Sequence, residues 1–169
     1  MYKLRYDDSS GFIYIVNENR VERLLESHFS SKPAISPDGT YAVYITPLEW
    51  EVASNLYKFD LELGTKEEIR LDIDETKYKV KDAVWIDDSH LAMIIGGIDG
   101  TIAIGGNIYR YDLETELLIP ITEYEDNRKQ AIKLNIMEEL LVFDTIEYID
   151  RSMSRFIRKQ EELPLISAV

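Results

Sequence analysis

Asn55-Leu56-Tyr57-Lys58-Phe59-Asp60-Leu61-Glu62 returns later in the chain as Asn107-Ile108-Tyr109-Arg110-Tyr111-Asp112-Leu113-Glu114, with every position identical or a close physical substitute. Position 107 stands 52 residues after position 55. Upstream of each copy lies a second matched pair. Ile35-Ser36-Pro37-Asp38-Gly39-Thr40-Tyr41-Ala42-Val43-Tyr44-Ile45 is echoed by Trp85-Ile86-Asp87-Asp88-Ser89-His90-Leu91-Ala92-Met93-Ile94-Ile95 at an offset of 50. Order and spacing are both kept. A repeat of roughly 40–50 residues made of several short strands is the pattern of β-propeller blades, each of which needs a neighbour to bury its apolar faces.

Working outward, alternation and turn residues place one four-stranded unit at 33–36, 41–46, 56–61 and 67–71, and a second at 81–86, 91–95, 108–113 and 117–121. Pro37-Asp38-Gly39 has the turn chemistry to close the first hairpin of the earlier unit. A more divergent unit follows at 131–136, 140–149, 154–158 and 163–169, and about three strands, including 11–17 and 21–25, fit before Ser30. The expected fold is all-β: antiparallel four-stranded blade-like repeats, about three to four blades, in one domain over 1–169 with units at about 1–30, 31–76, 77–126 and 127–169. The chain is too short for six blades, so the ring is small or incomplete. Segment 163–169 is the candidate to complete the N-terminal blade, and one continuous sheet curled into a sandwich is the alternative architecture.

Composition narrows the function classes. The chain has 169 residues, with 32 Asp plus Glu against 19 Lys plus Arg, for a formal net charge of -13. Such a surface repels phosphate backbones and anionic membranes, which argues against nucleic acid as a partner. No cysteine is present, so disulfides and thiolate metal sites are excluded. Residues 1–8 lack the apolar segment of a secretory signal, and 91–108 is broken by five glycines, so no membrane span is expected and the chain as written reads as cytoplasmic, with an exported native form as the alternative.

Ser36-Pro37-Asp38-Gly39, with Thr40-Tyr41-Ala42-Val43-Tyr44 and then 55–61, resembles the repeat of TolB-type and related WD-type β-propellers. More narrowly, 94–109 resembles a bacterial domain family of unknown function found chiefly in Gram-positive bacilli and clostridia. The resemblance implies a propeller-like fold. It implies no activity, because propellers host enzymes, receptors and scaffolds alike.

Chemistry-bearing motifs are sparse. The glycine-rich run 96–106 lacks the Gly-Lys-Ser/Thr ending of a phosphate loop and leads into a strand, so it reads as a strand connection in which glycine permits close backbone approach. Asp72-Ile73-Asp74-Glu75 and Asp87-Asp88 supply too few oxygens for calcium and read as solvated turns. His28 and His90 stand 62 residues apart with no second ligand at recognisable spacing, so neither suggests zinc, and no metal or cofactor is expected. No nucleophile elbow is present. The tyrosines at 14, 41, 44, 57, 109 and 111 recur at strand positions and read as packing between blades.

The connections 47–54, 96–106 and 145–152 occupy equivalent places in the repeat, so a propeller brings them to one face. Glu49, Trp50, Glu51, Asp99, Glu147, Tyr148 and Asp150 are therefore the candidate ligand or partner residues. A tryptophan between two carboxylates suits a protein surface or a small polar, cationic or sugar-like ligand. The competing reading buries Trp50 over the strand ends. The function expected is a non-enzymatic binding or interaction module. A carbohydrate-active hydrolase or lyase using a carboxylate pair, and a self-associating structural protein forming a homodimer, are the alternatives.

Overall fold

The computed structural model describes residues 1–165. Fourteen strands follow one another: β1 (Lys3–Tyr6), β2 (Ile13–Val16), β3 (Glu22–Glu26), β4 (Ala34–Ile35), β5 (Tyr41–Thr46), β6 (Asn55–Asp60), β7 (Thr65–Ile69), β8 (Tyr78–Trp85), β9 (His90–Gly97), β10 (Asn107–Asp112), β11 (Leu118–Pro120), β12 (Lys129–Met137), β13 (Leu140–Tyr148) and β14 (Phe156–Pro164). They form four antiparallel sheets, β1-β2-β3, β4-β5-β6-β7, β8-β9-β10-β11 and β12-β13-β14. No helical element occurs among the described residues.

The repeated octapeptides do the same work in the second and third sheets. Leu56 and Phe59 in β6, and Ile108 and Tyr111 in β10, stand three apart and so point to opposite faces, each buried against a different neighbouring sheet. At each strand end an aspartate organises the following turn: Asp60 Oδ1 accepts the N–H groups of Glu62 and Leu63 at 2.9 Å each, and Asp112 Oδ1 accepts those of Glu114 and Thr115 at 2.8 and 3.2 Å. The upstream turns are each organised by an aspartate as well, one repeat position apart. Asp38 Oδ1 accepts the Thr40 N–H at 2.9 Å, Asp87 Oδ1 accepts that of Ser89 at 2.8 Å, and the two turns meet where Asp38 N–H donates to Asp88 Oδ1 at 2.8 Å.

Three apolar clusters join the sheets in sequence. Ile13, Ile15, Tyr44 and Phe59 lie between the first and second; Val43, Leu56, Trp85, Met93 and Tyr111 between the second and third; Ile94, Ile108, Leu134, Leu141 and Phe143 between the third and fourth. Among the described residues no fourth cluster joins the last sheet back to the first. The far faces are mixed, with Leu24 on the first and Phe156 on the last exposed beside charged pairs. Arg5 pairs with Glu22 and covers the Tyr14 ring at 4.2 Å on the first sheet, and Arg158 pairs with Asp144 on the last.

Two expectations are corrected. β8 begins at Tyr78, so it includes Lys79, outside the segment 81–86. β14 runs unbroken to Pro164, with Leu163 opposite Leu141 and Pro164 opposite Leu140, so 154–158 and the start of 163–169 belong to one strand of the fourth sheet. Leu163 packs in the cluster between the third and fourth sheets, which is why it is held there and not on the N-terminal sheet. Residues 166–169, the rest of that segment, lie outside the described residues.

Candidate functional site

β8 touches β4, β5 and β6 of the second sheet on one side and β12 of the fourth on the other. Its pairing with β9 is interrupted between Val80 and Asp82, leaving Lys81 as the extra residue of a β-bulge. A bulge re-aims a side chain. Lys79 and Lys81 both run beneath the long connections that follow β5 and β9. Lys79 Nζ donates to the carbonyls of Glu49 and Val52 at 2.8 and 2.9 Å, tying down the first connection, while Lys81 Nζ donates to the Ala103 carbonyl in the second.

Between the two connections lies a cleft of about 220 Å³. Trp50, 66% exposed, roofs it with the indole set over Gly100, where a Cβ would stand 3.3 Å from Cε2. Glu49 and Glu51 flank the tryptophan, Leu48, Ile98 and Ile104 supply apolar wall, and Lys79 and Lys81 complete the lining. An adjoining groove of about 420 Å³ shares Glu51 and Ile98 and adds Asp99.

Electrostatically the lysines are unusual for so acidic a chain. Lys79 is only 7% exposed, and no ion pair among the described residues includes either lysine. Burial pushes the Lys79 ammonium below its usual range. Burial, reinforced by the charge of Lys79, brings Lys81 down to about 8. An ammonium carries three donors. With two carbonyls taken by Lys79 and one by Lys81, both keep N–H groups free for a ligand.

The glycine-rich connection is held from behind. Gly106 and Ala131 exchange backbone hydrogen bonds at 3.0 and 2.8 Å, and a Cβ on Gly105 would lie 1.9 Å from the Ala131 oxygen, so only glycine lets the loop press on β12. Gln130, 1% exposed, accepts the Gly105 N–H and donates to the Ile102 and Asn127 carbonyls. The segment is thus a close backbone approach rather than a phosphate cradle.

Of the seven residues singled out in the sequence, Glu49, Trp50 and Glu51 line the cleft and Asp99 the adjoining groove. Tyr148 is 4% exposed and its hydroxyl donates to the Ile102 carbonyl at 3.1 Å, so it braces the loop instead of meeting solvent. Glu147 sits in β13 opposite Lys129 and Ile157. Asp150 accepts hydrogen bonds from Ser152, Ser154 and the backbone of Arg155, which hold its carboxyl well below the usual range and commit it to the turn. Trp50 is not core; the buried tryptophan is Trp85, whose Nε1 donates to the Ala34 carbonyl at 2.8 Å. Lys79 and Lys81 escaped sequence reasoning. Their signal was the alternation Lys77-Tyr78-Lys79-Val80-Lys81 entering a strand of an acidic chain.

No helix among the described residues is long and apolar enough to cross a membrane. The structure is similar to that of "a putative conserved lipoprotein" from Clostridium novyi NT, with a TM-score of 0.74 and 22% identity over 83% of this chain and 89% of that one. It is also similar to TolB from Acinetobacter baumannii, at 0.57 and 15% over 99% of this chain and 39% of that one. A third likeness is to the β-propeller domain of the Trilobed protease from Pyrococcus furiosus, described as having an open velcro topology, at 0.51 and 19% over 96% of this chain and 52% of that one. These likenesses carry the propeller-like fold and nothing of activity. No curated protein matches the sequence. Residues 11–162 match the family model described as a domain of unknown function, DUF4652, and the chain therefore belongs to that family.

Proposed function

We propose that this domain is a non-enzymatic binding module that holds a small polar ligand in the cleft beneath Trp50. The supporting observation is the tryptophan itself: a large aromatic ring, 66% exposed, braced over Gly100 at the mouth of a cleft, on connections tied down by buried lysines. Leaving an indole in water forgoes its burial energy, and rigid loops on a β scaffold are where recognition concentrates. Flat contact with the ring and polar contact with the floor would together orient an occupant.

Thermal-shift titration with a panel of small acids, amines, amino acids and neutral sugars tests the reading. A ligand that binds only the folded state raises Tm with its concentration. At least one member raises the Tm of the wild type, and Trp50→Ala removes the rise while keeping the ligand-free Tm. A rise that survives Trp50→Ala unchanged places binding elsewhere and contradicts the proposal.

A further inference from the structure

We infer that the Trp50 cleft selects small carboxylates, with the ligand's anionic group received by the paired ammonium groups of Lys79 and Lys81. This inference rests on the proposed binding role of the cleft and adds the chemical class of its occupant.

Two positive charges have been brought together with no counter-charge beside them among the described residues, although neutral carbonyls would hold the connections as well with an uncharged donor. Lys79 is almost wholly buried, Lys81 is partly buried beside it, and carbonyl oxygens are their only partners within hydrogen-bond reach among the described residues. The chain has 32 carboxylates from which to draw a counter-charge, yet neither lysine has one within ion-pair distance among the described residues. Burying a charge without a counter-ion is costly, and a ligand carboxylate would offset that cost. The β-bulge at Lys81 brings the second ammonium towards the Ala103 end of the cleft, so the pair spans its floor from Glu49 to Ala103.

The remaining lining limits the ligand further. Leu48, Ile98, Ile104 and the Trp50 ring offer apolar and flat surface to a compact body, and about 220 Å³ accommodates a ligand of monosaccharide or amino-acid size. Glu49 and Glu51 at the rim, in a chain of net charge -13, disfavour a multiply charged phosphate and favour a single anionic group directed inward. A purely cationic ligand, which the carboxylates beside Trp50 suggest when taken alone, would meet two ammonium groups at the floor.

The test uses isosteric pairs that differ in charge: phenylacetate against phenylacetamide, and glucuronate against glucose. Binding is read by Trp50 fluorescence at neutral pH, with Trp50→Phe assigning the signal and separating it from buried Trp85. At least one acid binds roughly ten-fold or more tightly than its neutral partner, the scale of a charge-assisted hydrogen bond in a partly dry site. Lys81→Gln then abolishes this preference, read as the ratio of acid to neutral affinity within the variant. In the wild type the preference fades as pH rises above about 8, where Lys81 loses its charge. If an acid and its neutral partner bind equally at Trp50, the carboxylate inference is overturned while the binding role stands. If neither acid binds, the carboxylate inference is overturned whatever becomes of Lys81→Gln, and the thermal-shift panel separately decides the binding role.

Discussion

At the scale of residues, the two tryptophans separate stability from recognition. Trp85 is 6% exposed in the cluster between the second and third sheets, and Trp85→Ala leaves a cavity costing about 3–5 kcal/mol. For a chain of this size that is a fall in Tm of roughly 10 °C by thermal denaturation. Trp50→Ala removes an exposed ring and leaves Tm within roughly 2 °C of the wild type. A large loss at Trp50 would show that the ring supports the fold. Lys81 supplies a pH signature. Its folded pKa of about 8 lies below the ordinary 10.5, so its contribution to stability is present above 10.5 and is lost as pH falls through 8. Lys81→Met removes that titration, so the wild type gains on the variant as pH is raised from 8 to 10.5. A constant difference in Tm across that window would contradict the burial of its charge.

At the scale of elements, the connection 98–106 is positioned by its glycines. Gly105→Ala drives a Cβ against the Ala131 oxygen, a backbone atom that cannot swing away, and the Gly106–Ala131 pairing must open. The expected cost is about 1–3 kcal/mol, with faster hydrogen exchange at Ala131. Gly100→Ala meets only the ring of an exposed indole that can move outward, so it keeps the melting temperature and displaces Trp50, which shows as a shift in fluorescence. Equal destabilisation by both substitutions would contradict this division. The strands of the second and third sheets were legible because the repeat places Leu56 with Phe59, and Ile108 with Tyr111, at matched buried positions. The bulge at Lys81 was not, because an added residue flips the alternation without leaving a mark in composition. The repeat alone places Tyr148 on the loop face, whereas its hydroxyl's partner, the Ile102 carbonyl, lies 46 residues away in the chain.

At the scale of the molecule, charged pairs interrupt the far faces of the first and last sheets where a further blade would pack, beside the exposed Leu24 and Phe156. Arg5–Glu22 and Arg158–Asp144 cover these faces, and Val142 and Ile146 of the last sheet are already buried. The chain is accordingly expected to run as a 19.7 kDa monomer in light scattering, and a stable dimer would show that self-association covers these faces instead. Turn aspartates contribute to its response to acid. Asp38, Asp74, Asp112 and Asp150 are held below the ordinary 3.8 chiefly by hydrogen bonds from turn backbone or hydroxyl groups. Their contribution is present above pH 3.8 and is lost as pH falls below it, so Tm declines on acidification through that region even as the net negative charge is relieved. The proposed binding site, the cleft between 47–54 and 98–106, is open to amide chemical-shift mapping with the small-molecule panel: perturbations gathering on the Trp50 indole and on residues 97–104 are expected, and a cluster on the far faces with Trp50 unmoved would rule the cleft out.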